Sequence, residues 1–320
     1  MNTDRPYDVV IVGGGAAGLS AATALARCLR RVLVVDAGEP RNALAHRAHD
    51  VLGQDGVSPR ELLAAGRREA HSYGAQVVDS RAVTARRHED ALEVDLAGGG
   101  TVRGRRLLLA TGLVDELPDV PGVRELWGSS VLHCPYCHGW EVRGQRIGVL
   151  ATGALSVHQA LLFRQLSEYV TVFAHHACEL PADALEQFAA LDVTVVPGAV
   201  NRLRIDGGAL AAVVLAGGSQ VDVDALAVAP FLAHADLYVQ LGGTLTEHPA
   251  GQFIATGPMG RTPIAGVWAA GNTSDLGATV TAASAAGIAT ATGINADLVA
   301  DDAATAVRTA RRPAADAPAG

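Results

Sequence analysis

Aromatic residues are scarce: Phe, Tyr and Trp make up 4% of the 320 residues, so the core has to be filled by Ala, Val and Leu rather than by rings. Such small side chains imply closely packed helices and sheets. Cysteine is scarce as well, and four thiols in a chain this long exclude a disulfide scaffold. Basic residues are in deficit, 25 against 33 acidic ones, and the net charge of −8 offers no electrostatic footprint for nucleic acid or for an anionic membrane. Long apolar runs are missing too. Residues 107–109 and 267–270 fall far short of the ~20 needed to span a bilayer, and the N-terminus lacks the basic, apolar and cleavable segments of a secretory signal. These absences point to a cytoplasmic protein with a small-molecule partner. Domains of roughly 100–200 residues are the rule, so the length suggests two.

What the chain does have begins at once. Residues 7–12 form a short β-branched run, followed by Gly13-Gly14-Gly15-Ala16-Ala17-Gly18 and an Ala/Leu-rich stretch to Arg30. This reads as strand, glycine turn and helix. A second apolar run, residues 31–35, ends in Asp36, 23 residues after Gly13 and close to the spacing of about 20 in dinucleotide-binding folds. Gly13 allows the tight turn, Gly15 lets backbone approach a pyrophosphate, and Gly18 lets helix and strand pack closely. The phosphate then sits at the helix N-terminus, where Ala16 and Ala17 follow. Asp36 is suited to accept hydrogen bonds from ribose hydroxyls and to repel a 2′-phosphate, which leaves FAD or NAD.

Residues 106–112 (RLLLATG) and 266–272 (GVWAAGN) repeat a strand-then-glycine pattern, and residues 146–150, with Gly153 after them, open a second strand, glycine and helix unit. Residues 170–173 and 193–196 are further strand candidates. The expected architecture is α/β, with two Rossmann-like nucleotide-binding domains, the second inserted in the first. Breaks at the Pro/Gly stretch 117–122 and at Gly242-Gly243 divide the chain into 1–117, 118–243 and 244–300. The Ala/Pro-rich tail 301–320 has no apolar period and is expected to be disordered.

Residues 133–140 read His-Cys-Pro-Tyr-Cys-His-Gly-Trp. The CxxCH within them matches c-type haem attachment, which takes place outside the cytoplasm and is hard to reconcile with the missing signal. Zinc would need a second ligand pair, and none is present. A surface turn with unreactive thiols is a third reading. The fourth is a redox dithiol in which the CxxC geometry lowers one thiol pKa for exchange. Cys28 and Cys178 stand alone and are expected to be small buried hydrophobes.

Taken together, the glycine turn at 13–18, Ala110-Thr111-Gly112, the CxxC and residues 266–272 resemble the thioredoxin reductase-like family of FAD-dependent disulfide oxidoreductases. Within it, the CxxC followed by His138, Gly139, Trp140 and Glu141, with residues 36–42 (DAGEPRN) upstream, is similar to the dithiol oxidases of gliotoxin and holomycin biosynthesis. Ordinary thioredoxin reductases carry Asp where His138 stands. The resemblance implies a homodimer and an FAD site formed by Gly13, Gly15, Ala16, Ala17, Gly18, Asp36, Asn42, Asp50, Val83, Thr111, Gly112, Gly271, Asn272, Thr279 and Val280, with no metal. It also implies that Cys134 exchanges with substrate, that Cys137 faces the flavin, and that His138 moves protons. His133 is read either as a cation beside the thiols or as a solvent-facing residue. Tyr136 and Trp140 are candidates for the substrate pocket or the flavin face, and His46, His49, His71 and His88 are read as surface residues.

Departures from the family pattern matter. Asn272 stands where an acid is usual, and Ala278-Thr279 where reductases carry Arg-Gln. Ala151 replaces a glycine of the second turn, and Ala174-His175-His176 replaces a basic cluster suited to a 2′-phosphate. NADPH binding is therefore in doubt. The favoured expectation is a dithiol oxidase that takes a small-molecule dithiol and molecular oxygen and releases hydrogen peroxide. Its rivals are a reductase fed by NADPH or another donor, and a non-catalytic flavin scaffold.

Overall fold

The computed structural model describes residues 6–175, 180–233 and 236–311. The strand Tyr7–Val12, with Val9, Val10 and Ile11 fully buried, lies between Val32–Asp36 and Thr101–Leu109 and runs parallel to both. Strands buried on both faces read as continuous apolar runs, which is why YDVVIV, VLVVD and RLLL lack alternation. Gln76–Asp79, Ala91–Leu96, Ala82–His88 and Val267–Ala269 complete a seven-stranded sheet. Val267–Ala269 pairs with Thr101–Leu109, so both ends of the chain meet in one sheet.

A second, five-stranded sheet is wholly parallel, in the order Thr194–Val196, Val170–Phe173, Ile147–Leu150, Ala225–Val228, Val131–Leu132. The fold is thus two Rossmann-like α/β units, the second inserted in the first. An antiparallel three-stranded sheet, Val200–Asp206, Ala209–Leu215 and Gln220–Asp222, packs on one face of the second sheet through Leu203, Leu210 and Val213. The two crossings between the units, Val114–Glu116 outward and Phe231–Ala233 back, pair antiparallel with each other. Leu237 and Tyr238 already pack in the core of the first sheet, so the return lies before residue 237 and not at Gly242-Gly243. The Gly-Gly pair is instead the end of a short helix, Leu237–Gln240.

Helix Ala16–Arg27 packs along the C-terminal helix Val280–Ala310 through Ala17, Ala21, Leu25, Ala283, Ile294 and Leu298. This contact depends on small residues: a Cβ on Gly287 would lie 2.1 Å from the carbonyl oxygen of Ala17. Cys28 caps the end of the first helix and is exposed, not buried. Cys178 lies outside the described residues.

The tail expected to be disordered from 301 is helical as far as Ala310. Its lack of apolar period misled, because ion pairs rather than burial hold it. Arg105 bonds Asp8, Asp301 and Asp302, Arg106 bonds Asp297 and Asp301, and Arg30 bonds Asp302, at 2.6–3.3 Å. Residues 312–320 lie outside the described residues. No described helix is long and apolar enough to cross a membrane.

Partly exposed pairs contribute about 0.2–1 kcal/mol each. Arg105→Ala is accordingly expected to cost about 1–2 kcal/mol and lower the melting temperature by a few degrees. Leu298→Ala, which empties a fully buried site, should cost about 2–5 kcal/mol. Calorimetry on both variants checks whether charge or packing dominates along this helix.

Candidate active site

The first glycine turn sits where the strand ends of the seven-stranded sheet meet helix Ala16–Arg27. Gly13 has φ +105°, and a Cβ there would lie 2.2 Å from the Ala110 carbonyl oxygen, so only glycine fits. A Cβ on Gly18 would meet the Gly13 carbonyl oxygen at 1.9 Å. Gly15 has open space beside it, no side chain caps the helix, and its first turn carries no acid. The first-turn amides thus face an anion site without an internal competitor. A cavity of about 1060 Å³ opens from this turn, at the upper end of the roughly 300–1000 Å³ usual for ligand pockets.

Gly13, Gly15, Ala16, Ala17, Asp36, Asn42, Asp50, Thr111, Gly112, Gly271, Asn272, Thr279 and Val280 all line that cavity. Their spread over the strand ends and the start of the C-terminal helix fits a long dinucleotide such as FAD. Two expected residues stand apart. Gly18 lies behind the turn, where its role is close packing. Val83 does not line the cavity; it lies in an antiparallel strand at a register shift, 43% exposed, while Ser80, Arg81 and Ala82 before it turn toward the cavity.

Asp36 accepts from the Gly14 amide at 3.1 Å and from Arg67 at 2.6 Å, so part of its acceptor capacity is already committed to orienting it. Asn272 donates its side-chain amide to the carbonyls of Asp275, Leu276 and Ala278 and so braces that loop. Thr279 caps the C-terminal helix, its hydroxyl accepting from the Ala282 amide. Asp50, at φ +59°, is held by Thr281, whose hydroxyl donates to its carbonyl.

The same cavity is lined by Cys134 and Cys137, both half-buried. Cys134 lies just beyond strand Val131–Leu132 and caps the short helix Pro135–His138, its sulfur accepting from the Cys137 amide at 3.2 Å. The thiol hydrogen bond from Cys137, aided by the Cys137 and Tyr136 amides and the Arg41 charge against burial, brings the Cys134 pKa down to about 7. Cys137 is pushed well above the ordinary thiol value by that same bond, by burial and by the negative charge of Cys134. In the reduced pair, therefore, the charge rests on Cys134 and the proton on Cys137.

His138 also lines the cavity, and its Nε2 is buried without a hydrogen-bond partner. Burial, with a smaller contribution from His49 and opposed by Glu141, lowers its pKa below the usual 6.5. It is a neutral imidazole at pH 7. His133 is neither a cation nor solvent-facing: its Nδ1 donates to the Val228 carbonyl at 3.1 Å, and burial lowers its pKa. Arg41 is the nearby cation instead, held on Asp115 by three contacts of 2.6–3.1 Å. Tyr136 lines the cavity with its ring 69% exposed, whereas Trp140 lies off it, 68% exposed and stacked against Arg143. His49, read as a surface residue, lines the cavity with its ring between Asp55 and Glu141.

At the second glycine turn, Ala151 is fully buried at a strand end and does not face the cavity. Ser156 matters more there. Its hydroxyl, 1% exposed, accepts from the amides of Thr152 at 3.1 Å and Gly153 at 3.4 Å. The signal lay in the sequence as a hydroxyl at the last small-residue position of the motif. His175 accepts from the Val200 amide through Nδ1. His176 lies outside the described residues. Among those residues no cluster of His, Cys, Asp and Glu could hold a metal ion.

Two dinucleotide-type units and a CxxC opening onto one cofactor-sized cavity define a flavin-dependent oxidoreductase acting on dithiols or disulfides. Residues 7–287 match the family described as pyridine nucleotide-disulphide oxidoreductase, and the chain belongs to it. The chain is 35% identical over 288 residues to thioredoxin reductase tcpT of Claviceps purpurea, covering 85% of this chain and 88% of that protein. It is 32% identical over 308 residues to thioredoxin reductase sirT of Leptosphaeria maculans, covering 90% and 93%. The crystal structure of HlmI superposes with a TM-score of 0.93 at 42% identity, covering 98% of this chain and 99% of that one.

The reduced enzyme should be alkylated first at Cys134, with a rate rising through an apparent pKa of about 7. Because the bond from Cys137 is the largest cause of that lowering, Cys137→Ala should move the midpoint up toward 9. Iodoacetamide trapping across pH, followed by peptide mapping, reads both. Modification of Cys137 ahead of Cys134 would reverse the assignment.

Proposed function

We propose that this protein is an FAD-dependent dithiol oxidase of natural product biosynthesis, a cytoplasmic homodimer that closes a disulfide in a small molecule and passes the electrons to oxygen, giving hydrogen peroxide. The observation that carries this reading is the opening of Cys134, Cys137 and His138 onto the same cavity as the cofactor turn. FAD, when bound, supplies the two-electron acceptor that restores the Cys134–Cys137 disulfide and is itself reoxidised by oxygen.

The chain's own residues account for the exchange. A substrate thiolate attacks Cys134 Sγ; a substrate–Cys134 bond forms, the Cys134–Cys137 bond breaks, and Cys137 leaves and takes a proton. The second substrate thiolate attacks the first substrate sulfur, forming the product disulfide and expelling Cys134 as a thiolate. Substrate loses two electrons and the cysteine pair gains them. A leaving thiol with a low pKa leaves faster, and Cys134 is the one so stabilised. Neutral His138, with its unpartnered Nε2, is suited to take a proton from the entering thiols.

A second reading is favoured by the names of the relatives: a disulfide reductase driven by NADPH or another electron donor. Anaerobic stopped-flow separates the two. Dithiols should bleach the flavin far faster than stoichiometric NADPH, and the opposite order would promote the reductase. Cys134→Ser and Cys137→Ser should each abolish dithiol-driven oxygen uptake. His138→Ala should lower kcat by about 10²–10⁴-fold, the usual contribution of a general base. It should also erase an acid limb lying below pH 6.5, where protonation of the native imidazole would remove the base.

A further inference from the structure

Each exchange step leaves a proton over. The substrate dithiol brings two; Cys137 takes one as it leaves, and Cys134, its pKa brought down to about 7, departs as a thiolate. Substrate dithiol and enzyme disulfide thus give product disulfide, Cys137 thiol, Cys134 thiolate and one free proton. Hydrogen peroxide takes that proton back when the cysteine pair is reoxidised, so the turnover balances. His138 is suited to collect the proton from the entering thiols, but its Nε2 is buried and has no hydrogen-bond partner among the described residues. A proton held there has no water to leave to.

A second imidazole lines the same cavity. His49 belongs to the loop between Val32–Asp36 and helix Pro59–Ser72, and its Nδ1 lies 3.2 and 3.3 Å from the two carboxylate oxygens of Asp55. Its Nε2 lies 3.3 Å from Oε1 of Glu141, three residues beyond His138 in the inserted unit. The loop is pinned beside the ring: the Asp50 amide donates to Asp55 at 3.2 Å, and the Asp50 carbonyl accepts from the Thr281 hydroxyl. A neutral imidazole carries one N–H and can donate to only one of two carboxylates, so the two ends of His49 are both satisfied only when a second proton arrives. Exposure rises along the line, from 21% for the His49 side chain to 71% for that of Asp55. Glu141 is shared by the two imidazoles, since its charge also acts on His138, as does that of His49. Arg41 and Asp50 are the other charges felt at the thiols; Arg41 is committed to Asp115 and keeps its proton, and Asp50 acts on Cys137.

We propose that His49 is the outlet for the proton that His138 takes from substrate, a positioning residue that acts through Glu141 and His138 rather than on the reacting sulfurs. This inference rests on the dithiol oxidase reading. The proton taken at His138 Nε2 passes to the Glu141 carboxylate and on to His49 Nε2; His49 releases the proton of its Nδ1 to Asp55, where water removes it. The proton needed for hydrogen peroxide returns along the same path, which restores the starting tautomer of His49.

Anaerobic mixing of the FAD-loaded protein with dihydrolipoamide tests it, at pH 8, above the Cys134 pKa of about 7, in weakly buffered solution containing phenol red. Flavin absorbance follows reduction, and the dye follows the released proton. In the native protein the two should move together, with about one proton per flavin, and neither should respond to added imidazole. His49→Gln should slow both by about tenfold or more, less than the 10²–10⁴-fold of a general base because water leaves a slow path. Imidazole, which can enter the space of the missing ring, should restore them severalfold, a response that a merely structural defect would not give. Glu141→Gln should show the same slowing, and flavin content reports the folded fraction of each variant. Rates for His49→Gln within twofold of native, or slowed without recovery in imidazole, would overturn the outlet and leave the oxidase reading standing; so would slowing in Glu141→Gln alone. Failure of dihydrolipoamide to bleach the native flavin would overturn the oxidase reading and the outlet with it.

Discussion

One run of backbone hydrogen bonds across four strand ends supports everything at the active site. The Gly13 amide donates to Val35, the Ala110 amide to Val12, and the Ala270 amide to Leu109, at 2.8–3.1 Å. These bonds carry the sheet ladder one residue past each strand, so the four strands end level. Each then releases its cavity-lining residues at the same height: Asp36, Gly13 to Gly15, Thr111 with Gly112, and Gly271 with Asn272. A side chain on Gly13 would push against the Ala110 carbonyl and separate the ends of Tyr7–Val12 and Thr101–Leu109, and with them the cradle. Ligand sites of open α/β sheets gather at the carboxyl ends of strands for this reason.

The inserted unit uses the same rule at its own sheet. Val131–Leu132 is its edge strand, and the cysteine helix begins three residues after it ends, so the thiols also sit at a carboxyl edge. What turns that edge toward the cofactor turn is the paired crossing, Val114–Glu116 against Phe231–Ala233. Asp115 of that crossing also holds Arg41, which links the first unit's loop to the hinge between the units and places a cation near Cys134. The connection between domains therefore also sets the electrostatics of the thiols.

Within the pair, asymmetry arises from a four-residue helix. Its first free amides point at Cys134, while Cys137 is inside the turn and donates rather than accepts. Two chemically identical residues three positions apart are thus given different charges, and disulfide exchange requires that difference: one sulfur that enters and leaves readily, one that keeps its proton. His138, next along the chain, is left with an unpartnered nitrogen in a place where water is largely excluded.

Much of this was legible in the sequence because it is local. The glycine turn, the acid at the end of the second strand, the CxxC and the late strand-then-glycine pattern are short segments whose backbone demands are written in their own residues. The inserted topology could be read from their order along the chain. The environments of side chains could not be read, because they depend on residues distant in sequence. Val83 lies off the cavity because of a register shift, and His133 is neutral because it meets Val228. Ser156 rather than Ala151 occupies the second turn, and the helix beyond residue 300 is held by arginines nearly two hundred positions earlier. The sequence by itself determined which strand ends carry glycine and which loop carries sulfur, since those are properties of backbone conformation and residue type. Only the tertiary structure decided which thiol holds the charge and which histidines stay neutral, since fields and desolvation arise from everything that folding brings within a few ångströms.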